Sequence, residues 1–189
     1  MRYETASQRL AGYRKELAGL RKKMQKLQRS AEAEPVEDYE FATVKGPVRL
    51  SRLFGKKEHL FVIHNMGASC RYCTLWADGF NGLYPHLADR AAFVVASPDA
   101  PKKQLRFKTA RGWRFPMVSH SETSFAADMG YKSKEWWMPG VSVFTKRGKK
   151  IYRVSDTGFG PGDDFCALWH FFDLLPKGAG DWQPQYKYR

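Results

Sequence analysis

The chain has 189 residues, 43% of them hydrophobic and 15% aromatic, which is enough for one domain with a substantial core plus an extension but cramped for two full domains. No stretch approaches the roughly 20 continuous apolar residues of a membrane span, so a soluble globular protein with no membrane partner is expected. The formal net charge of +13 is spread through Arg21-Lys22-Lys23, Lys102-Lys103 with Arg106 and Lys108, and Lys146-Arg147 with Lys149-Lys150; it reads first as a basic surface and second as a site for an anionic partner such as RNA, DNA or an acidic protein, without a recognisable nucleic-acid motif.

The first residues, Met1-Arg2-Tyr3-Glu4-Thr5, lack the apolar segment of a secretory signal. The expected location is therefore cytoplasmic, where three cysteines do not read as a disulfide framework and a close pair reads as catalytic or metal-binding. Residues 4 to 31 contain no proline and place Leu10, Tyr13, Leu17, Leu20, Met24 and Leu27 at alternating spacings of three and four. This is an a/d-type seam of about three heptads, marginal alone, which must pack either on its own subunit or, as a homodimer, on the same helix of a partner. Glu32 to Asp38, broken by Pro35, reads as a linker, and the domain division expected is 1–34 for helix and linker and 35–189 for the globular part.

Within the globular part, Tyr39 to Val44 predicts a strand, Gly46-Pro47 a turn, and Val48 to Gly55 a short strand and helical turn. Leu60 to His64 is a buried strand, Tyr72 to about Asp89 a helix, and Ala91 to Ser97 a second buried strand. Lys102 to Arg111 predicts a basic helix, Phe115 to Ser119 an edge-like strand, and Phe125 to Met129 a helical turn. Val141–Phe144 and Ile151–Val154 flank Lys146-Arg147-Gly148-Lys149 as a hairpin, and Asp163 to Leu175 is a last helix stopped by Pro176 and Gly178. The order predicts an α/β fold with a mixed central sheet covered by helices on both faces, plus the N-terminal helical extension.

The chemistry points to Cys70-Arg71-Tyr72-Cys73, directly after a strand and opening a helix. Unpaired N–H groups and the helix dipole favour a thiolate on Cys70, Arg71 adds positive charge beside it, and Cys73 stands one turn away as resolving thiol. The alternatives are a metal site and inert reduced thiols. Cys166 and His170 share a helix face, but 92 residues separate Cys73 from Cys166, far beyond common zinc-module spacing, so no metal is expected. Asp78 is expected to pair with Arg71 or to cap a local turn.

The strand, the CxxC at a helix start, and Met138-Pro139 leading into Val141–Phe144 resemble the thioredoxin fold. More specifically, the chain is similar to an uncharacterised bacterial thioredoxin-like family, a domain of unknown function. The segments that carry this likeness are Cys70-x-x-Cys73 with Trp76-Ala77-Asp78-Gly79-Phe80, Gly112-Trp113-Arg114-Phe115-Pro116 with Val118-Ser119, Asp128-Met129-Gly130, Pro139 to Phe144, and Phe172 to Gly178. The resemblance implies a cis Pro139 across from the first sulfur, with neighbouring backbone groups free to pair with substrate. It also implies that His64 occupies the position of a buried acid that relays the proton of the second thiol, a core histidine being the alternative. Thioredoxin's Trp-Cys-Gly-Pro-Cys is absent. So is a peroxiredoxin-like Pro-x-x-x-Thr-x-x-Cys, since Gly67 stands three before Cys70.

The expectation is a thiol–disulfide oxidoreductase with Cys70, Cys73, Pro139 and His64 as catalytic residues and Arg71, Tyr72, Trp76, Trp137 and Met138 contacting a protein or small-molecule disulfide, with no bound cofactor. The alternatives are a non-catalytic binding or assembly protein on the same scaffold and a peroxiredoxin-like peroxidase.

Overall fold

In the computed structural model, which describes residues 2–188, the proline-free N-terminal segment forms one helix, α1 (Tyr3–Ser30), none of whose residues is buried. It belongs to one compact unit, Met1–Ala33, and everything else to a second, Glu34–Arg189.

The second unit is built on an eight-stranded sheet. Its strands are β1 (Glu34–Val36), β2 (Glu40–Thr43), β3 (Gly46–Arg49), β4 (His59–His64), β5 (Ala92–Ser97), β6 (Met117–Ser119), β7 (Gly140–Arg147) and β8 (Lys150–Gly158), in the order β1-β8-β7-β4-β5-β6-β2-β3. β4, β5 and β6 run parallel and every other pair is antiparallel. The interleaved helices are α2 (Leu50–Leu53), α3 (Arg71–Arg90), α4 (Pro101–Arg111), α5 (Phe125–Asp128) and α6 (Ala167–Phe172).

β4 and β5 are continuous apolar runs because both of their faces are covered, as the central strands of a parallel sheet require. Leu60, Val62, Val94 and Ala96 pack on one side with Leu50 of α2 and Phe125 of α5. Phe61, Ile63, Phe93 and Val95 pack on the other with Trp76, Ala77 and Phe80 of α3 and Trp169 of α6. The β7–β8 hairpin turns through Gly148, whose positive φ of 61° suits a tight two-residue loop.

Four local expectations are corrected. The linker contains β1, a proline-bearing edge strand paired with the end of the hairpin; Arg153 of β8 grips Glu34 at 2.6 Å and 2.8 Å. Gly46 and Pro47 lie in β3, paired with Thr43 and Ala42, and the turn falls at Val44-Lys45. β6 is not an edge, since β2 pairs with its far side through Ala42 and Ser119. The last helix begins at Ala167, because the Asp163 carboxylate takes the N–H groups of Gly160, Phe165 and Cys166 and holds that stretch as a turn.

Candidate functional site

Cys70 caps the N-terminus of α3, its sulfur accepting the Cys73 N–H at 3.0 Å in the manner of a serine or aspartate cap. The half-buried thiol is pulled down to about 7, first because the Cys73 S–H donates to it and then because the Cys73 and Tyr72 backbone N–H groups do; burial opposes them. Cys73 is buried, and its thiol is held well above the ordinary range by that same hydrogen bond, by burial and by the Cys70 charge. Met66 N–H donates to the Cys73 sulfur at 3.4 Å. The two thiols are free and chemically unlike: one favours the thiolate, the other keeps its proton. Arg71 is exposed, and the depression of Cys70 comes from hydrogen bonds rather than from its charge.

The loop between β4 and α3 is fixed on every side. Asn65 Oδ1 accepts Gly67 N–H at 2.7 Å, and Gly67 carbonyl accepts Cys70 N–H at 3.1 Å. Asp99, just beyond the parallel neighbour β5, accepts Ala68 N–H at 2.6 Å and pairs with Lys103 at 2.5 Å. Gly67 has φ +101°, and a Cβ there would stand 2.9 Å from the Asp99 carboxylate, so glycine is required twice over. From the C-terminal tail, Tyr186 donates its hydroxyl to Ala68 carbonyl at 3.0 Å, while its own carbonyl accepts from Arg111 at 2.6 Å. The loop thus sits outside the carboxyl ends of the parallel strands, where sites in α/β sheets gather. Asn65, Asp99 and Tyr186 were not anticipated. Asp99 carries the one usable signal, an acid placed immediately after a parallel strand.

The shared motifs acquire a structural reason. Asp78 pairs with Arg111 and accepts Trp113 Nε1–H at 2.8 Å, rather than pairing with Arg71 or capping a turn. Pro85 inside α3 has no N–H for the Asn81 carbonyl four residues back, and Arg114 Nη2 donates to that carbonyl at 3.0 Å instead. The Asn81 side chain bonds Gly112 carbonyl and Arg114 N–H. The Trp-Ala-Asp-Gly-Phe-Asn stretch therefore clamps the Arg-Gly-Trp-Arg stretch against the helix that presents the cysteines.

Other expected site residues are placed differently. His64 faces away from α3: it stacks on Tyr131 at 3.8 Å and on Phe125 at 5.4 Å, and its Nε2 meets Ser142 Oγ at 2.9 Å. Strand alternation puts it on the Leu60–Val62 side, whereas α3 covers the Ile63 side, so it is the core histidine and not a proton relay for Cys73. Burial pushes its imidazole down to about 3, with the charges of His120 and Arg153 adding to the effect. The Met138–Pro139 peptide is trans, as are all others among the described residues. Met138 N–H is already taken by Tyr131 carbonyl and Pro139 carbonyl by Phe159 N–H, both at 2.9 Å, so these groups are not open for substrate pairing. The next residue, Gly140, pairs with His64, so Pro139 stands just before β7, the strand beside the one that leads into the Cys70 loop.

Trp76 is buried against Phe159 and is core rather than a wall of the site. Tyr72 is half-buried between Trp76 and Trp169. Trp137 is half-buried on His120 with Lys132 over its ring, while Met138 and Trp136 are exposed, 42% and 72%. A cleft of about 470 Å³ beside them is lined by Tyr131, Met138, Pro139, Arg153, Asp156 and Phe159, among others. No group of three or more potential metal ligands occurs among the described residues; Cys166 is buried, and His170 lies near Asp164 and Asp173.

Over residues 1–189 the chain matches the model of a bacterial protein family of unknown function, DUF899. The chain belongs to this family. Its fold is thioredoxin-like: peroxidoxin BcpB from Mycobacterium tuberculosis is similar at 23% identity with a TM-score of 0.54, over 71% of this chain and 88% of that one. Reduced Prx3 from Vibrio vulnificus is similar at 12% identity and 0.56, over 70% and 89%. A peroxiredoxin Q variant from Xanthomonas campestris is similar at 20% and 0.53, over 64% and 80%. No curated protein matches the chain. Among the described residues no helix is long and apolar enough to cross a membrane.

Proposed function

We propose that this DUF899 protein is a thiol–disulfide oxidoreductase, and the observation that carries the reading is the asymmetry of its dithiol: Cys70 near 7 at the cap of α3, and Cys73 buried and protonated one turn on. The Cys70 thiolate attacks one sulfur of a substrate disulfide, forming a mixed disulfide and expelling the other sulfur as a thiolate. Cys73 then gives up its proton and attacks the Cys70 sulfur, forming the Cys70–Cys73 disulfide and releasing the second substrate thiolate. Two electrons pass to the substrate, and a cellular dithiol restores the protein.

The order is built into the charges. While Cys70 is a thiolate, its charge and the shared hydrogen bond hold the Cys73 proton in place. Once Cys70 is tied up in a mixed disulfide the hydrogen bond and the charge no longer hold the proton and only burial opposes its loss, so Cys73 is more readily deprotonated and can resolve the mixed disulfide. The peroxiredoxin neighbours favour a second oxidant for the same pair: a peroxide would oxidise Cys70 to a sulfenic acid, releasing alcohol or water, and Cys73 would condense with it to the disulfide and water.

Equilibration across a glutathione redox series, followed by alkylation and mass spectrometry, tests the reading. A reversible Cys70–Cys73 disulfide with a potential between roughly −120 and −270 mV is expected. Two thiols that stay reduced throughout, or disulfide turnover unchanged by Cys70→Ser, refute it and leave the binding-protein reading.

A further inference from the structure

The dithiol chemistry uses no residue of α1, yet α1 carries a regular apolar seam. Its Leu10, Tyr13, Leu17, Leu20, Met24 and Leu27 lie on one stripe and are each 49–73% exposed. The same helix carries eight lysines and arginines against two glutamates, a net charge of +6. We propose that α1 is an interfacial anchor that lies flat on an anionic lipid bilayer with this stripe turned into the acyl boundary.

The charge selects the partner. Arg9, Arg14 and Lys23 occupy positions flanking the stripe, where long apolar stems lie along the lipid boundary and the charged heads reach phosphates. Lys15, Lys22 and Arg29 fall on the opposite side, toward water. A second copy of the helix fits less well. Parallel pairing along the seam sets Arg9 against Arg14 of the neighbour and brings together two helices of net charge +6 each, with Glu16 opposite Arg21 as the attractive pair of the flanking positions. Nucleic acid would take the bases but leave six apolar side chains in water. The helix is 28 residues long, roughly 42 Å, and a planar interface accepts such a stripe along its whole length without shape matching. Because no described helix is apolar enough to span, the geometry is surface attachment.

The test is flotation of the full chain with vesicles of phosphatidylcholine alone and of phosphatidylcholine with about one-third phosphatidylglycerol, at low salt and at about 0.5 M salt. The expected result is at least tenfold stronger partitioning to the anionic vesicles, a loss of several fold at high salt, and a further tenfold loss in Leu17→Glu/Leu20→Glu. Lys22→Gln/Lys23→Gln/Lys26→Gln, which leaves the stripe intact, should weaken anionic binding by several fold. Circular dichroism and the free-thiol count establish that both variants are folded. Equal partitioning to both vesicle types, no partitioning, or wild-type partitioning of the leucine variant would overturn the proposal. So would a concentration-dependent dimer, seen by light scattering, that the leucine variant abolishes while no vesicle binding occurs, since the stripe would then belong to a second copy. None of these outcomes bears on the Cys70–Cys73 chemistry, which the redox titration tests separately.

Discussion

Replacing Cys73 by alanine removes the largest of the forces that make Cys70 acidic, and its consequences are calculable. At pH 7 a thiol with a pKa of about 7 is half ionised, against about 1% for one at the ordinary 9.0, a gain of about fiftyfold in thiolate. A thiolate two pH units less basic is intrinsically slower by about six- to tenfold, so the net advantage of Cys70 at pH 7 is about five- to eightfold. Without the Cys73 S–H, burial of Cys70 acts against only the two backbone N–H groups, and the thiol returns toward the ordinary range. The pH profile of alkylation therefore crosses over. Cys70 in Cys73→Ala reacts up to about sixfold more slowly at pH 7, yet up to about eightfold faster on the alkaline plateau, because its thiolate is more basic. The assay is iodoacetamide labelling from pH 5 to 10.5 in a Cys166→Ser background, with Cys70 quantified by peptide mass spectrometry. Cys73→Ser, whose hydroxyl still donates, should retain most of the low midpoint. An unchanged midpoint in Cys73→Ala would mean that the helix N–H groups alone hold the thiolate and that the thiol pair is not the source of the asymmetry.

Acid should weaken the fold through two buried histidines. His64 and His120, depressed to about 3 and about 4, are neutral in the folded state, whereas the unfolded chain protonates them below about 6.5. Their contribution is complete above that value and is lost as pH falls, by about 2 kcal/mol each at pH 5, so the urea midpoint should drop between pH 7.5 and 5 and a flat profile would contradict their burial as neutral groups. Gly140→Ala should destabilise by about 3 kcal/mol or more in thermal melts, since its Cβ would overlap the Tyr131 ring and come within 2.6 Å of the Thr157 carbonyl. Asp78→Ala should cost about 1–3 kcal/mol by urea unfolding, mostly through the buried Trp113 Nε1–H left without an acceptor, because the Arg111 pair is partly exposed; Asp78→Asn should recover much of that loss.

What was legible in the sequence was whatever local physics decides. Leu60 to His64 and Ala91 to Ser97 read as buried strands because central parallel strands need apolar side chains on both faces, and the CxxC at a helix start read as a thiolate because capping N–H groups come from the next turn of the same chain. β1 was not legible: Glu34-Pro35-Val36 has no strand pattern of its own and is a strand only because β8 and Arg153 hold it there. The start of α6 was missed because the helical spacing runs through Asp163 to Leu175, while the Asp163 carboxylate bonds N–H groups on both sides of itself, those of Gly160, Phe165 and Cys166, and holds the stretch before Ala167 as a turn.

The misplacement of His64 has a more instructive cause. The resemblance to the thioredoxin fold implied a position beneath the sulfur, with a core histidine as the alternative, but along a strand the side is fixed by parity, and His64 has the parity of Leu60 and Val62. The face that α3 covers is that of Ile63, so a proton relay to Cys73 from this strand would have to come from position 63 or 65. Position 65 holds Asn65, whose side chain donates to the Cys73 carbonyl at 3.5 Å and accepts Gly67 N–H, a group that fixes the loop but has no proton to trade near neutral pH. With no acid or base from β4 on that side, the asymmetry of the pair is produced by the two sulfurs themselves, by the burial of Cys73 and by the N–H groups at the start of α3, while Met66 N–H works against it. This is why the Cys73→Ala profile, rather than any substitution at His64, is the decisive test of how the thiolate is made.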